Sequence, residues 1–509
     1  MRMSKNFSRV YSAQPFALLG HIVSVEVDIT NGLHAFSIVG MADQAVGEAK
    51  DRVASAIKNS GFVSPKQDNQ KTIVSLAPAE LRKEGSYFDM AIAIGYLLSN
   101  HDLDFDPEKK LFIGELSLNG QLQGVAGILP IVQCAKRNGF TEIFVPVSNA
   151  DEASLIEGVT IYAVKNLKQL IDHLDDECED VLQPHPPQII KPADDFAISV
   201  NFADIKGQES AKRGLEIAAA GGHNLIMSGP PGTGKTMLAR AFLGLLPPLV
   251  PDEILEITGI HSIAGILHEP LVTAPPFRSP HHTASYVSII GGGAFPKPGE
   301  VTLAHRGILF MDEFPEFDKR VIEALRQPLE DKVVHISRAK GSASFPAQFM
   351  LVAAMNPCPC GNSGSLHKTC ICNPHEIIRY NKRISGPILD RIDIHLIVEH
   401  VDYDKLNEAR NSETSETIRA RIKQARKFQA LRFGNDLKLN SHMNAKDIEH
   451  LNLSDDVKRT LASSAQALKL SPRAYHRMIK LARTIADLDG SENITSDHVL
   501  EAFQYRPRS

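Results

Sequence analysis

Apolar and polar residues alternate near the start of the chain. Val23, Val25 and Val27 are interleaved with Ser24, Glu26 and Asp28, the period of a strand with one buried face. Strand-like runs recur at 35–39, 72–76, 111–116 and 142–145, and between them 45–59, 87–98 and 129–138 carry apolar residues at helical spacing. The mixture predicts an α/β domain over residues 1–175. Periodic apolar content then stops: residues 176–200 are first acidic and then proline-rich (Pro184, Pro186, Pro187, Pro192), which predicts an extended linker. In a second domain, 201–402, short apolar runs at 225–227, 308–311 and 349–353 read as buried strands. From 403 to 509 the spacing is helical only, with helices predicted at 403–433, 445–451, 454–468, 472–488 and 496–504. Ser471 ahead of Pro472 reads as a helix cap followed by proline at the first helical position.

Composition leaves this picture unchanged. Over 509 residues, 43% hydrophobic and 23% charged is ordinary for globular domains and excludes collagen-like, disordered and membrane classes. A net charge of −5 argues against a surface that is all polyanion-binding, yet leaves room for a basic channel between acidic exteriors. No run approaches the roughly 18 apolar residues of a membrane span. The basic opening with Arg2, Lys5 and Arg9 leads into a short apolar segment broken by His21, which reads as a first strand and not as a signal peptide. Of six cysteines four crowd together in the second half, so a disulfide framework is not expected and a reducing cytoplasm is.

Candidate chemistry is concentrated in the second domain. The run 225–227 leads through Ser228 into Gly229, Pro230, Pro231, Gly232, Thr233, Gly234, Lys235 and Thr236, followed by a helical pattern. Glycines let backbone N–H groups turn inward around a phosphate, the helix start adds positive potential, Lys235 reaches the outer phosphates and Thr236 ligates Mg²⁺, so ATP and Mg²⁺ are the expected ligands. The run 308–311 ends in Asp312, placed to hold the Mg²⁺ through water, and Glu313, placed to polarise an attacking water. Asn356 follows the run 349–353 and can orient that water or sense the terminal phosphate. Arg391 and Arg473 stand at element ends where an ATPase could use them or where each could be a plain surface arginine.

In this order the residues resemble the Walker A motif (229–236), Walker B motif (Asp312, Glu313), sensor 1 (Asn356), arginine finger (Arg391) and sensor 2 (Arg473) of AAA+ ATPases. An insert over 260–301 and a hairpin-like stretch over 333–346 are similar to the branch holding the magnesium chelatase ATPase subunit and the MCM helicases. Nearly the whole chain resembles the magnesium-chelatase-like YifB/ComM family. That resemblance implies a P-loop core with a helical lid over 403–509, a homo-hexameric ring in which the finger acts in trans, and a helicase or branch-migration motor on DNA (single-stranded, branched or duplex) serving recombination of incoming DNA. Arg338 and Lys340 at the hairpin turn are the candidate backbone contacts, with a solvated hairpin tip as the plain alternative. The competing class is a ring that remodels a partner protein, as the chelatase ATPase does.

Residues 1–175 resemble the proteolytic domain of Lon (the ribosomal S5 domain 2-like fold) through 83–89, 112–120 and 125–129. Tyr87 and Leu129 then occupy the places of its serine and lysine, so dyad chemistry is not expected, with Ser86 one position away as the remaining candidate nucleophile. Cys358, Cys360, Cys370 and Cys372 suit tetrahedral Zn²⁺, with a redox pair or unligated thiols as alternatives, and a metal there is expected to brace the sensor and finger. His281 and His282 read as ordinary insert residues near a pore, with a second metal site as the alternative.

Overall fold

The computed structural model describes residues 6–506 except 67–68, 176–177, 180, 192–199, 294–295, 339–340, 365–367, 402–412 and 469. The chain forms two compact units. One holds residues 1–191 together with 254–272, and the other holds 192–253 with 273–509.

The first unit is built on a seven-stranded sheet. Its order is Ala35–Val39, Gln70–Ala77, Leu19–Asn31, Phe7–Phe16, Lys110–Phe112, Glu142–Pro146, Thr160–Val164. A long hairpin of Phe7–Phe16 and Leu19–Asn31 in antiparallel register (Tyr11 opposite Ser24) lies at the centre; Gln70–Ala77 pairs antiparallel with Leu19–Asn31, and the remaining strand pairs are parallel. Because side chains alternate faces along a strand, Phe112 and Phe144 enter one core while Leu111, Ile113, Ile143 and Val145 enter another. The first core is closed by Gln44–Asn59 and Asp89–Ser99, the second by Ile128–Arg137 and Val147–Ala153.

Residues 254–272 belong to this unit although they lie within the second domain's stretch of sequence and 260–272 fall in its insert. Leu255 and Leu271 pack on the second core. The Gly127 N–H donates to Ser262 Oγ at 2.9 Å, and the Ser262 hydroxyl in turn bonds Glu152, whose Oε1 accepts the Leu129 N–H at 3.0 Å. Burial pushes the Glu152 carboxyl up to about 7 against both of those hydrogen bonds.

The second unit carries a five-stranded parallel sheet in the order Phe277–Arg278, Ile308–Met311, Met350–Met355, Leu225–Ser228, Ile394–Ile397. The unbroken apolar runs Leu-Ile-Met and Ile-Leu-Phe-Met are explained by burial on both faces. Helices Ser415–Phe433, Asp455–Ala467, Pro472–Leu488 and Ser496–Gln504 follow, and their apolar stripes (Ile418, Ile422, Leu461, Met478, Ile485, Val499) share one core with the sheet. Ser471 caps Pro472–Leu488 by accepting from the Ala474 N–H, with Pro472 at the first helical position as the sequence predicts. Among the described residues no helix is long and apolar enough to cross a membrane.

Candidate nucleotide site

Strand Leu225–Ser228 lies inside the sheet, paired with Met350–Met355 on one side and Ile394–Ile397 on the other, so the loop after it opens at the carboxyl ends of three strands. That crevice is where open parallel sheets bind ligands. Two glycines make the loop possible. A Cβ on Gly229 would stand 2.0 Å from the Val398 carbonyl oxygen, and Gly234, at φ +88°, starts helix Lys235–Leu243 from the left-handed region.

Lys235 is buried and folds its ammonium over the loop, donating to Gly229 O at 2.7 Å, Pro230 O at 2.8 Å and Asn356 Oδ1 at 3.2 Å. Burial lowers its pKa, with Asp312 opposing. The Thr236 hydroxyl donates to Asp312 Oδ2 at 3.1 Å, so the expected Mg²⁺ ligands of two distant segments stand side by side. The Thr233 hydroxyl closes the loop onto Pro230 O at 3.0 Å. Strand Ile308–Met311 ends at Asp312, whose Oδ1 accepts the Glu313 N–H at 2.9 Å, and Glu313 itself sits at φ +49°, a strained backbone for a residue with a Cβ. Walker A, Walker B and sensor 1 positions are therefore gathered at one edge of the sheet, with donors and acceptors suited to a Mg²⁺–triphosphate.

Arg391 and Arg473 are brought together elsewhere. Both guanidinium groups donate to the single carboxylate of Glu330 in helix Arg326–Asp331. Arg391 also donates to Pro387 O at 2.7 Å, and its own carbonyl accepts from Asn224, the residue ahead of the P-loop strand. Asn224 Oδ1 in turn accepts the Leu351 N–H, so this cluster lies at the amino ends of the strands, about 13 Å of strand from the loop at the carboxyl ends. A cavity of about 360 Å³ there is lined by Glu330, Lys332, Arg391, Asp393, Arg473 and Arg477 among others. Burial pushes Lys332 down to about 8, and Asp393, which burial alone would raise, is held low by Arg477 and His223. Glu330 has no motif around it, and its role in pairing the two arginines was not read from the sequence.

The four cysteines converge, with their Sγ atoms all within 4.8 Å of one another and Cys358 at 3.4 Å from Cys360 and 3.7 Å from Cys370. Four thiolates bound at about 2.3 Å around tetrahedral zinc stand about 3.8 Å apart, so the set fits Zn²⁺. The expected brace differs in its target. A Cβ on Gly361 would meet Pro231 Cδ at 2.6 Å, and the Asn356 backbone N–H donates to the hydroxyl of Tyr380, in the helix Pro374–Asn381 that follows the cluster. The cysteine loop thus touches the P-loop and sensor 1, whereas Arg391 is held by Glu330.

His282 is not merely an insert residue: its Nδ1 lies 3.1 Å from Glu313 Oε2. The hairpin forms as strands Val333–Arg338 and Gly341–Pro346, with Arg338 exposed, while Lys340 lies outside the described residues. In the first unit the Tyr87 hydroxyl donates to Ala126 O at 3.1 Å and Leu129 is buried. Ser86 donates to Glu115, and the buried Lys83 donates to Pro78 O, so among the described residues no lysine pairs with this serine.

A parallel sheet with a glycine loop at its carboxyl edge, a buried lysine at the start of the following helix and a Thr–Asp pair beside it defines a P-loop nucleotide-binding protein. Residues 201–406 match the family described as magnesium chelatase, subunit ChlI, residues 25–149 the subunit ChlI family of Mg-chelatase, and residues 412–506 the subunit ChlI C-terminal family. The chain belongs to the ComM/YifB-type magnesium-chelatase-like family, and membership of this AAA+ family supports ATPase activity. It is 41% identical to the competence protein ComM of Haemophilus influenzae over 98% of this chain and 97% of that one. It is also 41% identical to YifB of Escherichia coli over 95% and 94%. A more distant likeness, 25% identity over 61% of this chain and 37% of the other, is to the DNA replication licensing factor Mcm6 of Drosophila melanogaster.

Proposed function

We propose that the protein is an ATP-driven motor that works as a homo-hexameric ring on DNA, with helicase or branch-migration activity in the recombination and integration of incoming DNA. The observation that carries the ring is the separation of the two halves of the hydrolytic machinery. Lys235, Thr236, Asp312 and Asn356 stand at one end of the sheet, and Arg391 with Arg473 at the other. A neighbouring copy supplies the missing half to each site, and a closed cyclic arrangement satisfies every copy. Glu313 polarises water, Asp312 and Thr236 hold Mg²⁺, and the arginines of the neighbour neutralise charge developing on the γ-phosphate.

DNA as the substrate is supported by the likeness to a competence protein and to a replication licensing factor, and by exposed Arg338 on a hairpin. Such a motor works in the cytoplasm, where thiols stay reduced. Under the same reading residues 1–175 form a Lon-like domain without peptidase chemistry, 176–200 a linker, 201–402 the core, and 403–509 its lid. Zn²⁺ held by the four cysteines is structural. The second reading, remodelling of a partner protein, is favoured only by the match to the chelatase subunit itself.

Displacement of a labelled strand from three- and four-stranded DNA junctions, compared between wild type and Lys235→Ala, tests the proposal. ATP-dependent displacement that disappears in the variant is the expected result. Wild-type protein that neither displaces strands nor hydrolyses ATP faster with DNA sinks the DNA reading in favour of protein remodelling.

A further inference from the structure

Three partly buried cations meet in the cavity beside Glu330. Lys332 follows helix Arg326–Asp331, and helix Pro472–Leu488 presents Arg477 and Lys480 three residues apart, on one face. Among the described residues lining that cavity, Glu330 and Asp393 are the only carboxylates. Glu330 is taken by Arg391 and Arg473, which leaves Asp393 to face the three. Asp393 Oδ2 is also engaged by His223 Nδ1 at 3.2 Å. The two ammonium groups have neutral partners: Lys332 donates to Leu329 O at 3.2 Å and Lys480 to Ser441 O at 3.0 Å. Burial pushes Lys332 down to about 8, with Lys480 and Arg477 adding to the fall and Asp393 opposing it. Like charges gathered out of water without counter-charges cost free energy, so negative charge entering the cavity is stabilised by all three.

The cavity also offers donors that the chain itself leaves unused. Arg477 Nη1 stands 3.4 Å from Asp393 Oδ1 without hydrogen-bonding geometry, and both it and Ser441 Oγ are buried with no hydrogen-bond partner among the described residues. Such atoms are normally paired. His442, next to Ser441 in the turn Asn440–His442, accepts the Leu439 N–H on Nδ1 at 3.3 Å. Burial first, then Lys332 and Lys480, pull its pKa down to about 3, so the ring is neutral and carries its proton on Nε2 as another donor. A guanidinium edge, two ammonium groups, a hydroxyl and an imidazole N–H suit an anion with several oxygens and a double charge, whereas a carboxylate offers two oxygens and a single charge. The cavity, at about 360 Å³, exceeds a bare tetrahedral oxyanion and leaves room for an attached organic group.

The geometry points to a phosphate site in this cavity, separate from the P-loop, in which Arg477, Lys480, Lys332 and Ser441 hold a phosphate dianion, either free orthophosphate or the phosphate of a monoester. The assignment depends on neither the ring nor the DNA reading. Arg391 and Arg473 line the same cavity, but Glu330 meets their charge, and the site does not need them. Orthophosphate is also what ATP hydrolysis releases, so the site is a resting place for that product beside the two arginines.

Equilibrium dialysis of the full chain against radiolabelled orthophosphate, at constant ionic strength and without nucleotide, tests the site. Lys235→Ala is the background, because it disables the P-loop as a competing place for phosphate. In that background saturable binding of one phosphate per chain is expected. Adding Ser441→Ala, which removes a hydroxyl that bonds nothing in the protein, is expected to weaken binding about ten-fold, and adding Lys480→Gln at least as much. Should Lys480→Gln fail to fold, Ser441→Ala decides alone. Removing the neighbouring trio together, Glu330→Gln/Arg391→Ala/Arg473→Ala, is expected to leave affinity within about three-fold. Unlabelled adenosine monophosphate separates the two sources: displacement of the label as effective as that by orthophosphate identifies a monoester site, and no displacement a free-phosphate site. Absence of saturable binding in Lys235→Ala at millimolar phosphate overturns the proposal. So does binding that Ser441→Ala leaves unchanged, or binding that the trio variant abolishes, which would hand the anion to Arg391 and Arg473.

Discussion

At the scale of single residues, the nucleotide site separates binding groups from hydrolytic ones. Lys235 has three oxygen acceptors around a buried ammonium, and phosphate oxygens arriving in the loop take their place. Lys235→Ala is therefore expected to lose ATP binding, measured with a fluorescent analogue. Glu313→Gln keeps the shape and the Asp312–Thr236 pair, so it is expected to bind ATP normally and lose about 10²–10⁴ in turnover. Equal loss of binding in both variants would move Glu313 out of the catalytic role. Glu330 has a different task. One carboxylate faces two guanidinium groups, which draw its pKa down against the effect of burial and which would repel each other without it. Glu330→Gln is expected to lower turnover by about ten-fold at unchanged nucleotide affinity, since the arginines are no longer held ready for a phosphate. A rate at or above wild type would mean that Glu330 only sequesters them.

At the scale of elements, the structure separates local signals from distant ones. The P-loop was legible because its glycines, lysine and threonine are consecutive and chemistry dictates each of them, and the helices Gln44–Asn59 and Pro472–Leu488 because their apolar stripes are long. Strand Phe7–Phe16 was not. It buries Ser8, Ser12 and Gln14, whose side chains donate to Gly95 O, Tyr87 O and Arg82 O, so polar residues occupy core positions and the alternation is hidden. Pairing across 143 residues, as between Arg473 and Glu330, leaves no mark on periodicity at all. Nor does the assignment of 254–272 to the first unit, which depends on Ser262 meeting Gly127 and Glu152.

That last contact carries a pH dependence. The folded carboxyl of Glu152 titrates near 7 against an ordinary 4.5, so the folded state holds an extra proton between those values and stability falls as pH rises through the window. The shift corresponds to on the order of 3 kcal/mol. Glu152→Gln keeps an acceptor for the Leu129 N–H and is expected to slow hydrogen exchange at Gly127 and Leu129 relative to wild type at pH 8 but not at pH 5. The cysteine loop gives a second test at this scale. Cys370→Ser/Cys372→Ser is expected to lose one bound zinc per chain and, because Gly361 abuts Pro231 and Tyr380 holds the Asn356 amide, to weaken ATP binding. Zinc-free wild-type protein with full nucleotide affinity would remove the metal from the site.

At the scale of the whole molecule, the decisive feature is that the P-loop and the Arg391–Arg473 cluster stand at opposite ends of one chain's sheet. The arginine cluster sits beside Asn224 at the amino ends of the strands, and the P-loop follows Ser228 at the carboxyl ends. Completion in trans makes a sharp forecast for mixed assemblies. On the proposed ring, Arg391→Ala is expected to bind ATP but to offer its neighbour no finger, and alone to lose about 10³–10⁵ in turnover. Lys235→Ala binds no ATP but presents an intact finger. In an equal mixture one interface in four on average joins an ATP-bearing Arg391→Ala copy to a finger-bearing Lys235→Ala copy in the right order. Hydrolysis is then expected to return to roughly a quarter of the wild-type rate if sites act independently, and to less if they are coupled. The same rescue is expected with Arg473→Ala in place of Arg391→Ala, because Glu330 holds both arginines in one cluster. If the mixtures stay as inactive as their parts, while each variant still assembles, the arginines serve their own chain's nucleotide and the case for the ring fails with them.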